Sequence, residues 1–150
     1  MLRPVGVVHG GRREAVDDHW QDVEAVIEID GRFPEESLTG LAEFSHADVV
    51  YLFHQVDEGA VTLGARHPRG NSAWPEVGIF AQRAKARPNR IGVSTCRILA
   101  VDGRRIRVAD LDAIAGTPVL DLKPHMTEMG PRGPVREPPW AAELMEHYWD

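Results

Sequence analysis

The stretch from Gly78 to Ser94, GIFAQRAKARPNRIGVS, carries the residues best suited to hold an anion. Its four basic side chains are Arg83, Lys85, Arg87 and Arg90. Pro88 fixes its own φ and pushes the preceding residue toward an extended conformation, while Asn89 and Gly92 suit a tight bend. A stiff loop can aim guanidinium groups, each of which binds a carboxylate or phosphate through two hydrogen bonds. A basic turn with a purely structural role is the alternative interpretation.

Basic residues are concentrated in one segment of an acidic chain. The net charge is −6, whereas residues 83–107 hold eight Arg and Lys residues and a single acid, Asp102. A local basic patch can hold a polyanion such as RNA without making the whole surface adhesive. Basic strand residues that simply point to water would give the same excess of Arg and Lys. The charge alone therefore does not decide between a polyanion-binding patch and an ordinary exposed strand face.

Other common motifs of catalysis and metal binding are absent. The sequence contains no GxGxxG, P-loop, GxSxG or HExxH pattern, and its seven histidines show no metal-ligand spacing. The single cysteine, Cys96, lies in a predicted strand without a histidine nearby in sequence. We therefore predict no metal site and no cysteine nucleophile.

Short alternating segments must position the basic stretch. Asp102-Gly103 predicts a type I′ hairpin turn between two strands, and Leu38, Leu41 and Phe44 suggest one or two helical turns. Strands are predicted within residues 23–30, 47–56, 60–65, 76–82, 97–109 and 117–124, and the continuously apolar 47–56 segment is predicted to be buried. The segment from Ile91 to Ser94 also resumes a strand-like pattern after the basic loop. Residues 138–150 predict a C-terminal helix whose apolar stripe is Trp140, Ala141, Leu144, Met145 and Tyr148. This pattern predicts an all-β fold, a small closed or partly open β-barrel of about seven to nine short strands with short accessory helices.

Length and composition favour one domain in the cytoplasm. The 150 residues suit a single domain over 1–150, with a core at about 4–125 and a proline-rich segment and helix at 126–150. The longest apolar run, Val49 to Phe53, is too short to cross a bilayer, and no signal peptide is evident. One cysteine fits a reducing compartment.

Three dense stretches, taken in order, resemble the TsaA-like family of β-barrel S-adenosylmethionine-dependent tRNA methyltransferases. The first is Phe44-Ser45-His46, and the second is Gly78 to Arg83 followed by RPNRIG at 87–92. The third is LDAIAGTPVLDLKPH at 111–125. The match covers about residues 4–125 and keeps both order and spacing, which makes it far more specific than any single short motif.

The resemblance implies an activity, a cofactor and partners. It implies a barrel that forms a homodimer and binds S-adenosylmethionine near the dimer interface. It also implies methyl transfer to the N6 amine of a threonylcarbamoyl-modified adenosine beside the tRNA anticodon. Neither a membrane nor a metal is implied.

Family cofactor contacts, carried onto this sequence, fall in five places. They are His19-Trp20-Gln21, His54-Gln55, Arg83, Val93 and Ala109-Asp110-Leu111-Asp112. The RNA side is assigned to Arg87, Asn89, Arg90 and Lys123. No catalytic residue is assigned, because a sulfonium methyl donor is already activated and the enzyme mainly has to align donor and amine and exclude water.

These residue types suit the cofactor chemically. Arg83 can bind the methionine carboxylate, although it can equally hold an RNA phosphate. Main-chain groups near Ala109 and the ring of Trp20 can meet an adenine edge and face. Asp112 can accept from a ribose hydroxyl or orient the incoming amine, and a turn carboxylate that caps backbone amides is its structural alternative.

The sequence departs from the family pattern in four places and lacks the additional C-terminal domain of longer relatives. Gln82 replaces threonine, Arg90 proline, Ala115 aspartate and His125 tyrosine. Two other functions therefore stay open. One is a methyltransferase for a small molecule or another nucleic acid, and the other is a non-catalytic S-adenosylmethionine-binding protein.

Overall fold

Six antiparallel strands close into a barrel in the order β1-β2-β7-β6-β3-β8, and β4 and β5 form a separate two-stranded sheet. The structure is a computed structural model that describes all residues, 1–150. The strands are β1 Gly6–His9, β2 Glu24–Ile29, β3 His46–Leu52, β4 Ala65–Arg66, β5 Val77–Gly78, β6 Ile91–Asp102, β7 Arg105–Ala109 and β8 Pro118–Pro124. The predicted small all-β barrel with accessory helices is confirmed.

Helical structure is short and lies outside the barrel wall. The single α-helix, α1, spans Pro139–Leu144. The 3-10 turns are Glu35–Leu38, Leu41–Glu43, Glu58–Ala60, Pro68–Gly70, Ile79–Ala81, Pro88–Arg90 and Thr127–Met129. No helix has the length and apolar character needed to cross a membrane.

Side-chain alternation fills the barrel interior. Ala25, Ile27 and Ile29 of β2 point inward as their period of two predicts. They meet inward residues of the other strands, and Val8, Val49, Ile106, Val108 and Val119 are all 0% exposed. Burial of these apolar side chains is the main driving force for closing the barrel.

Several predicted strands differ from the observed ones. Residues 47–56 read as a continuous buried strand, but β3 ends at Leu52 and buries only every second residue. Only Ala65 of the 60–65 segment is in a strand, and 76–82 keeps only Val77–Gly78 before a 3-10 turn. The N-terminal strand β1 was not predicted, because four residues rich in glycine and valine give too short a pattern.

The β6–β7 hairpin turns one residue later than predicted. Asp102 pairs with Arg105, so the central residues are Gly103 and Arg104. Only Gly103 has a positive φ, 59°. A type I′ turn needs positive φ at both central residues, whereas a type II′ turn needs it only at the first. The predicted type I′ assignment is therefore wrong.

The predicted C-terminal helix is shorter than its apolar stripe. α1 ends at Leu144 and residues 145–148 form turns, so Tyr148 does not continue the stripe. The Trp74 indole N–H donates to Glu143 Oε2 at 2.7 Å, which ties α1 to the 71–74 loop. The chain then leaves α1 toward the end of the barrel where β7 ends.

Candidate functional site

A part-buried carboxylate, Asp112, lies at one end of the barrel among three hydroxyl groups. The Tyr51 hydroxyl lies 3.1 Å from Asp112 Oδ1, and the Ser94 hydroxyl donates to the same oxygen. The Tyr148 hydroxyl donates to Oδ2. A carboxylate has about four acceptor positions, so one position on Oδ2 is left for a further donor.

The turn after β7 delivers Asp112 to this place. Ala109 ends the strand, and Asp110 reverses the chain with a φ of 67°. The Asp110 carboxylate accepts from the Asp22 main-chain N–H at 2.7 Å and from Arg97 Nε at 2.6 Å. Leu111, 1% exposed, then anchors the turn in the core. The hydrogen bond from Arg97 holds the pKa of Asp110 below its usual range.

Both tyrosines at Asp112 are locked as donors. Burial, followed by the charge of Asp112, raises the pKa of Tyr51 and of Tyr148 well above the usual tyrosine value. Neither ionises near neutral pH, so neither acts as a base there. The cluster therefore presents a negatively charged acceptor held by neutral hydroxyls.

Arg83 adds a positive charge beside this carboxylate. Its Nη2 donates to the main-chain oxygen of Val93 at 2.7 Å, and Val93 directly precedes Ser94. The charge of Arg83 acts on both Tyr51 and Tyr148. The structure thus places Arg83, Val93 and Asp112 together, and the remaining guanidinium N–H groups of Arg83 have no protein acceptor.

The early loop His19-Trp20-Gln21 is held by the last residues of the chain. The main-chain N–H groups of His19, Trp20 and Gln21 donate to the carbonyls of residues 147, 148 and 149 at 3.0, 2.8 and 3.1 Å. The Trp20 ring is 3% exposed, with the Arg12 guanidinium 4.5 Å from its centre. Its face is therefore covered in this structure, while the side chain of Gln21 is exposed.

His54 and Gln55 follow β3 and line a small cavity of about 150 Å³ with Lys85 and Thr117. A Cβ on Gly116 would lie 3.6 Å from His54 Nε2, so His54 adjoins the loop that continues from Asp112. A larger cavity of about 390 Å³, lined by residues such as Phe33, Leu41 and Phe44, contains none of the predicted site residues.

The basic loop makes the tight bend that its sequence predicts, centred on Asn89 and Arg90 with φ of 64° and 52°. Arg87 donates to the Gln82 carbonyl at 2.6 Å. Arg90 donates to the Val56 carbonyl at 2.7 Å and pairs with Glu58 at 3.2 Å. Gly92, which was predicted to bend, lies instead within β6. The two arginines brace the loop, and their role toward RNA stays a prediction.

Lys123 is not brought to the basic loop. It pairs with Asp121 at 3.1 Å and lies opposite Asp48 in the β3–β8 register. Val119, four residues earlier in β8, is the residue beside Tyr51, and four residues of strand span about 13 Å.

Two departures from the family pattern besides Arg90 have structural partners. Gln82 is 7% exposed, and its amide N–H₂ donates to the carbonyls of Arg66 and Val77 at 2.9 Å each. It therefore clamps the ends of β4 and β5. His125 lies 3.1 Å from Asp48 on the outer face of the barrel.

Sequence reasoning missed Tyr51, Ser94 and Tyr148. Tyr51 and Ser94 sit in segments read only as strands, and Tyr148 was placed on a helix. Burial raises the pKa of the Cys96 thiol to about 12, which leaves it unreactive. No group of three or more His, Cys, Asp or Glu side chains is arranged to hold a metal ion.

Residues 16–130 match the family described as the tRNA-methyltransferase O N-terminal domain. A probable S-adenosyl-L-methionine-binding protein of Pyrococcus abyssi is 37% identical over 142 residues, 89% of this chain and 72% of that protein. The tRNA (adenine(37)-N6)-methyltransferase of Escherichia coli is 38% identical over 96 residues. That match covers 61% of this chain and 40% of the Escherichia coli enzyme.

Solved structures agree with the sequence matches. TrmO from Pseudomonas aeruginosa superposes with a TM-score of 0.73 at 28% identity, over 91% of this chain and 60% of that chain.

The sequence relatives are longer than this chain. The human tRNA (adenine(37)-N6)-methyltransferase is 38% identical over 105 residues, but these are only 23% of its length. This chain therefore corresponds to one part of the longer enzymes.

Proposed function

The chain belongs to the tRNA-methyltransferase O N-terminal domain family, and from this we propose that it transfers a methyl group from S-adenosylmethionine to the N6 amine of adenosine 37 in tRNA. The acceptor adenosine carries a threonylcarbamoyl group and lies beside the anticodon. The reaction takes place in the cytoplasm.

The observation that carries the proposal is that Arg83 and Asp112 lie in the same region at one end of the barrel, with Arg83 bonded to the Val93 carbonyl and Asp112 to the neighbouring Ser94. A guanidinium with free N–H groups suits the carboxylate of an amino acid. A carboxylate with one unused acceptor position suits a ribose hydroxyl or an amine. Both groups are held in place by protein hydrogen bonds, so little order has to be gained on binding.

These residues fit S-adenosylmethionine as its binding groups. When bound, the cofactor supplies an activated methyl group on a sulfonium. Arg83 holds the methionine carboxylate, Asp112 accepts from the ligand, and main-chain groups of 109–111 read the adenine edge. His19, Gln21, His54-Gln55 and Val93 complete the proposed contacts. The Trp20 ring, which Arg12 covers, supports the 19–21 loop and does not stack on the adenine. The barrel end orients the two reactants and excludes water, which accounts for catalysis without a strong base.

The basic loop is the proposed contact for RNA. Asn89 lies at its exposed tip, and Arg87 is oriented by carbonyls without a carboxylate partner. Arg90 is oriented by the Val56 carbonyl but also pairs with Glu58, which it has to leave to bind a phosphate. Lys85 is exposed and has no acidic partner within the loop. Anticodon phosphates are the anions, and a splayed loop base is the usual target of RNA recognition. Lys123 is the weakest member of the proposed set, because it lies along β8 and is paired with Asp121.

Assembly as a homodimer is part of the proposal. Leu63 and Phe80, 77% and 80% exposed, flank Gly64 and Ile79, which are joined by a main-chain hydrogen bond of 2.8 Å. Such exposed apolar side chains beside the small β4–β5 sheet suit burial against a second copy. We expect a dimer in sedimentation at micromolar concentration and a monomer for Leu63→Ser/Phe80→Ser. A monomeric parent protein would contradict the proposed assembly.

Methyl transfer to defined tRNA tests the activity. Purified protein is mixed with labelled S-adenosylmethionine and with tRNA that carries or lacks the threonylcarbamoyl group, and product nucleosides are separated. We expect label on N6 of adenosine 37 only in the modified tRNA. Cofactor at about a hundredfold over its Kd should also stabilise the fold by about 2.7 kcal/mol in a thermal melt.

The other outcomes select the alternative functions. A thermal shift with transfer only to a different acceptor selects a small-molecule or other nucleic-acid methyltransferase. A thermal shift with no transfer to any cellular RNA or extract fraction selects a non-catalytic S-adenosylmethionine-binding protein. Absence of any thermal shift at millimolar cofactor rejects all three functions.

A further inference from the structure

The last five residues of the chain as given, Glu146 to Asp150, cross the candidate site and are called the strap below. Three consecutive carbonyls of the strap accept from the N–H groups of residues 19–21. The His19 ring Nδ1 lies 3.1 Å from the main-chain oxygen of Asp150. At its base the strap continues from α1, which is tied to Trp74. It is therefore attached both to the loop and to the body of the protein.

One strap side chain reaches the carboxylate of the site. The hydroxyl of Tyr148, part-buried, is the only hydroxyl on Asp112 Oδ2, whereas Tyr51 and Ser94 both serve Oδ1. Removal of Tyr51 or Ser94 leaves one donor on Oδ1, but removal of the Tyr148 hydroxyl leaves Oδ2 without a protein donor. The carboxylate is then held through Oδ1 alone, and no protein group fixes the direction of Oδ2.

We propose that the strap is a working part of the cofactor site and that Tyr148 is a positioning residue, which holds Asp112 so that its one unused acceptor position faces the ligand. The proposal rests on the proposed function, because it takes Asp112 as a ligand contact. The strap lies outside residues 16–130, which match the family, and the proposal gives it a role in the cofactor site of the matched part. The strap carbonyls fix the 19–21 loop, and the Tyr148 hydroxyl fixes Asp112. One segment therefore holds two separate parts of the proposed cofactor site in place.

A double-mutant cycle on the full chain tests the role of Tyr148. Tyr148→Phe keeps the ring, which packs edge-on against Trp149 at 5.1 Å, and removes only the hydroxyl. We expect S-adenosylmethionine affinity by calorimetry to fall about tenfold, the scale of a lost hydrogen bond to a charged group. In an Asp112→Ala background, the same change should alter affinity by less than about twofold, because interacting residues are not additive.

The control is Glu128→Gln, which changes an exposed side chain outside the strap and should leave affinity unchanged. Equal weakening by Tyr148→Phe in both backgrounds, or no weakening where the parent protein binds normally, overturns the positioning role. A parent protein that binds no S-adenosylmethionine means instead that the proposed function has failed.

Hydrogen exchange without ligand tests the strap independently of the cofactor. The amides of residues 19–21 should be protected in the parent protein and should exchange at least tenfold faster in Tyr148→Ala, because loss of the ring and hydroxyl loosens the strap. Amides of β2 serve as the internal control and should not change. Equal exchange of the 19–21 amides in both proteins would contradict the proposal that the strap holds the 19–21 loop.

Discussion

Replacing Asp112 with alanine is expected to weaken S-adenosylmethionine binding by at least an order of magnitude. The change removes the acceptor for the ligand and also removes the acceptor for three hydroxyls, of Tyr51, Ser94 and Tyr148. A hydrogen bond to a charged group contributes about 1.5–3 kcal/mol, and a buried donor left without a partner costs a similar amount. Calorimetric titration of the variant and the parent protein measures the difference.

Two comparison variants separate the loss of charge from the loss of fold. Asp112→Asn keeps the shape and one acceptor oxygen, so its affinity should lie between those of the alanine variant and the parent protein. Asp102→Ala removes an exposed carboxylate at the far end of β6 and should bind normally. If the Asp112→Ala protein binds S-adenosylmethionine as tightly as the parent protein and unfolds normally, Asp112 does not contact the cofactor.

A kinetic comparison assigns the ligand group that Asp112 accepts from. A ribose contact predicts that Asp112→Asn raises the KM for S-adenosylmethionine and leaves kcat nearly intact. An additional contact with the incoming amine predicts that kcat also falls, because that interaction matters only when the amine approaches the methyl group.

The sequence predicts the parts of the site that depend on local patterns. Period-two alternation in residues 23–30 places Ala25, Ile27 and Ile29 in the core, and the structure agrees. Pro88 and Asn89 predict the tight bend of the basic loop, and Asn89 does adopt a positive φ. Family resemblance brings Arg83, Val93 and Asp112 into one proposal, and the structure places them together.

The strap could not be predicted, because it depends on contacts between distant segments. A 3.6-residue stripe runs on through Tyr148, so a local reading extends the helix. The three hydrogen bonds that replace the helix join residues 19–21 to 147–149, at opposite ends of the sequence. Periodicity reports only which neighbours share a face, and it contains no information on such pairings.

The hairpin error has the same kind of cause. Asp-Gly is favoured at the centre of a two-residue turn, but the strand register decides which residues are central. Cross-strand packing places Val101 opposite Ile106 and Asp102 opposite Arg105. Asp102 therefore ends the strand, and Gly103 alone takes the positive φ.

Gly92→Ala is expected to produce the second large effect, a loss of both stability and cofactor binding. Gly92 lies in β6 directly opposite Tyr51 of β3, and it is buried. A Cβ at this position would lie 2.7 Å from Cε2 and Cζ of Tyr51 and 2.8 Å from Cζ of Phe53. Both rings lie over the glycine, so the added methyl group has no space unless they move.

The Tyr51 ring cannot move without loss, because its hydroxyl is tied to the site. It is 3% exposed and packs edge-on against Phe53 with ring centres 5.4 Å apart. Displacement of the ring carries the hydroxyl away from Asp112 Oδ1 and Ser94. Overpacking of a core typically costs about 1–3 kcal/mol. The shifted hydroxyl also disturbs both donors on Asp112 Oδ1, because Tyr51 contacts Ser94 as well, so cofactor binding weakens too.

Thermal unfolding and calorimetry on the same samples check this prediction. For a domain of this size each kcal/mol lowers Tm by about 2–4 °C, so we expect Tm to fall by several degrees and S-adenosylmethionine affinity to fall about tenfold. Gly31→Ala is the matched control, because a Cβ there meets nothing within 4 Å and φ is not positive; it should change neither quantity. A Gly92→Ala protein with lower Tm but unchanged affinity would show that the Tyr51 hydroxyl is not needed at Asp112. A protein with unchanged Tm would show that the β3–β6 pair opens easily to admit the methyl group, which the close packing of Tyr51 and Phe53 on Gly92 argues against.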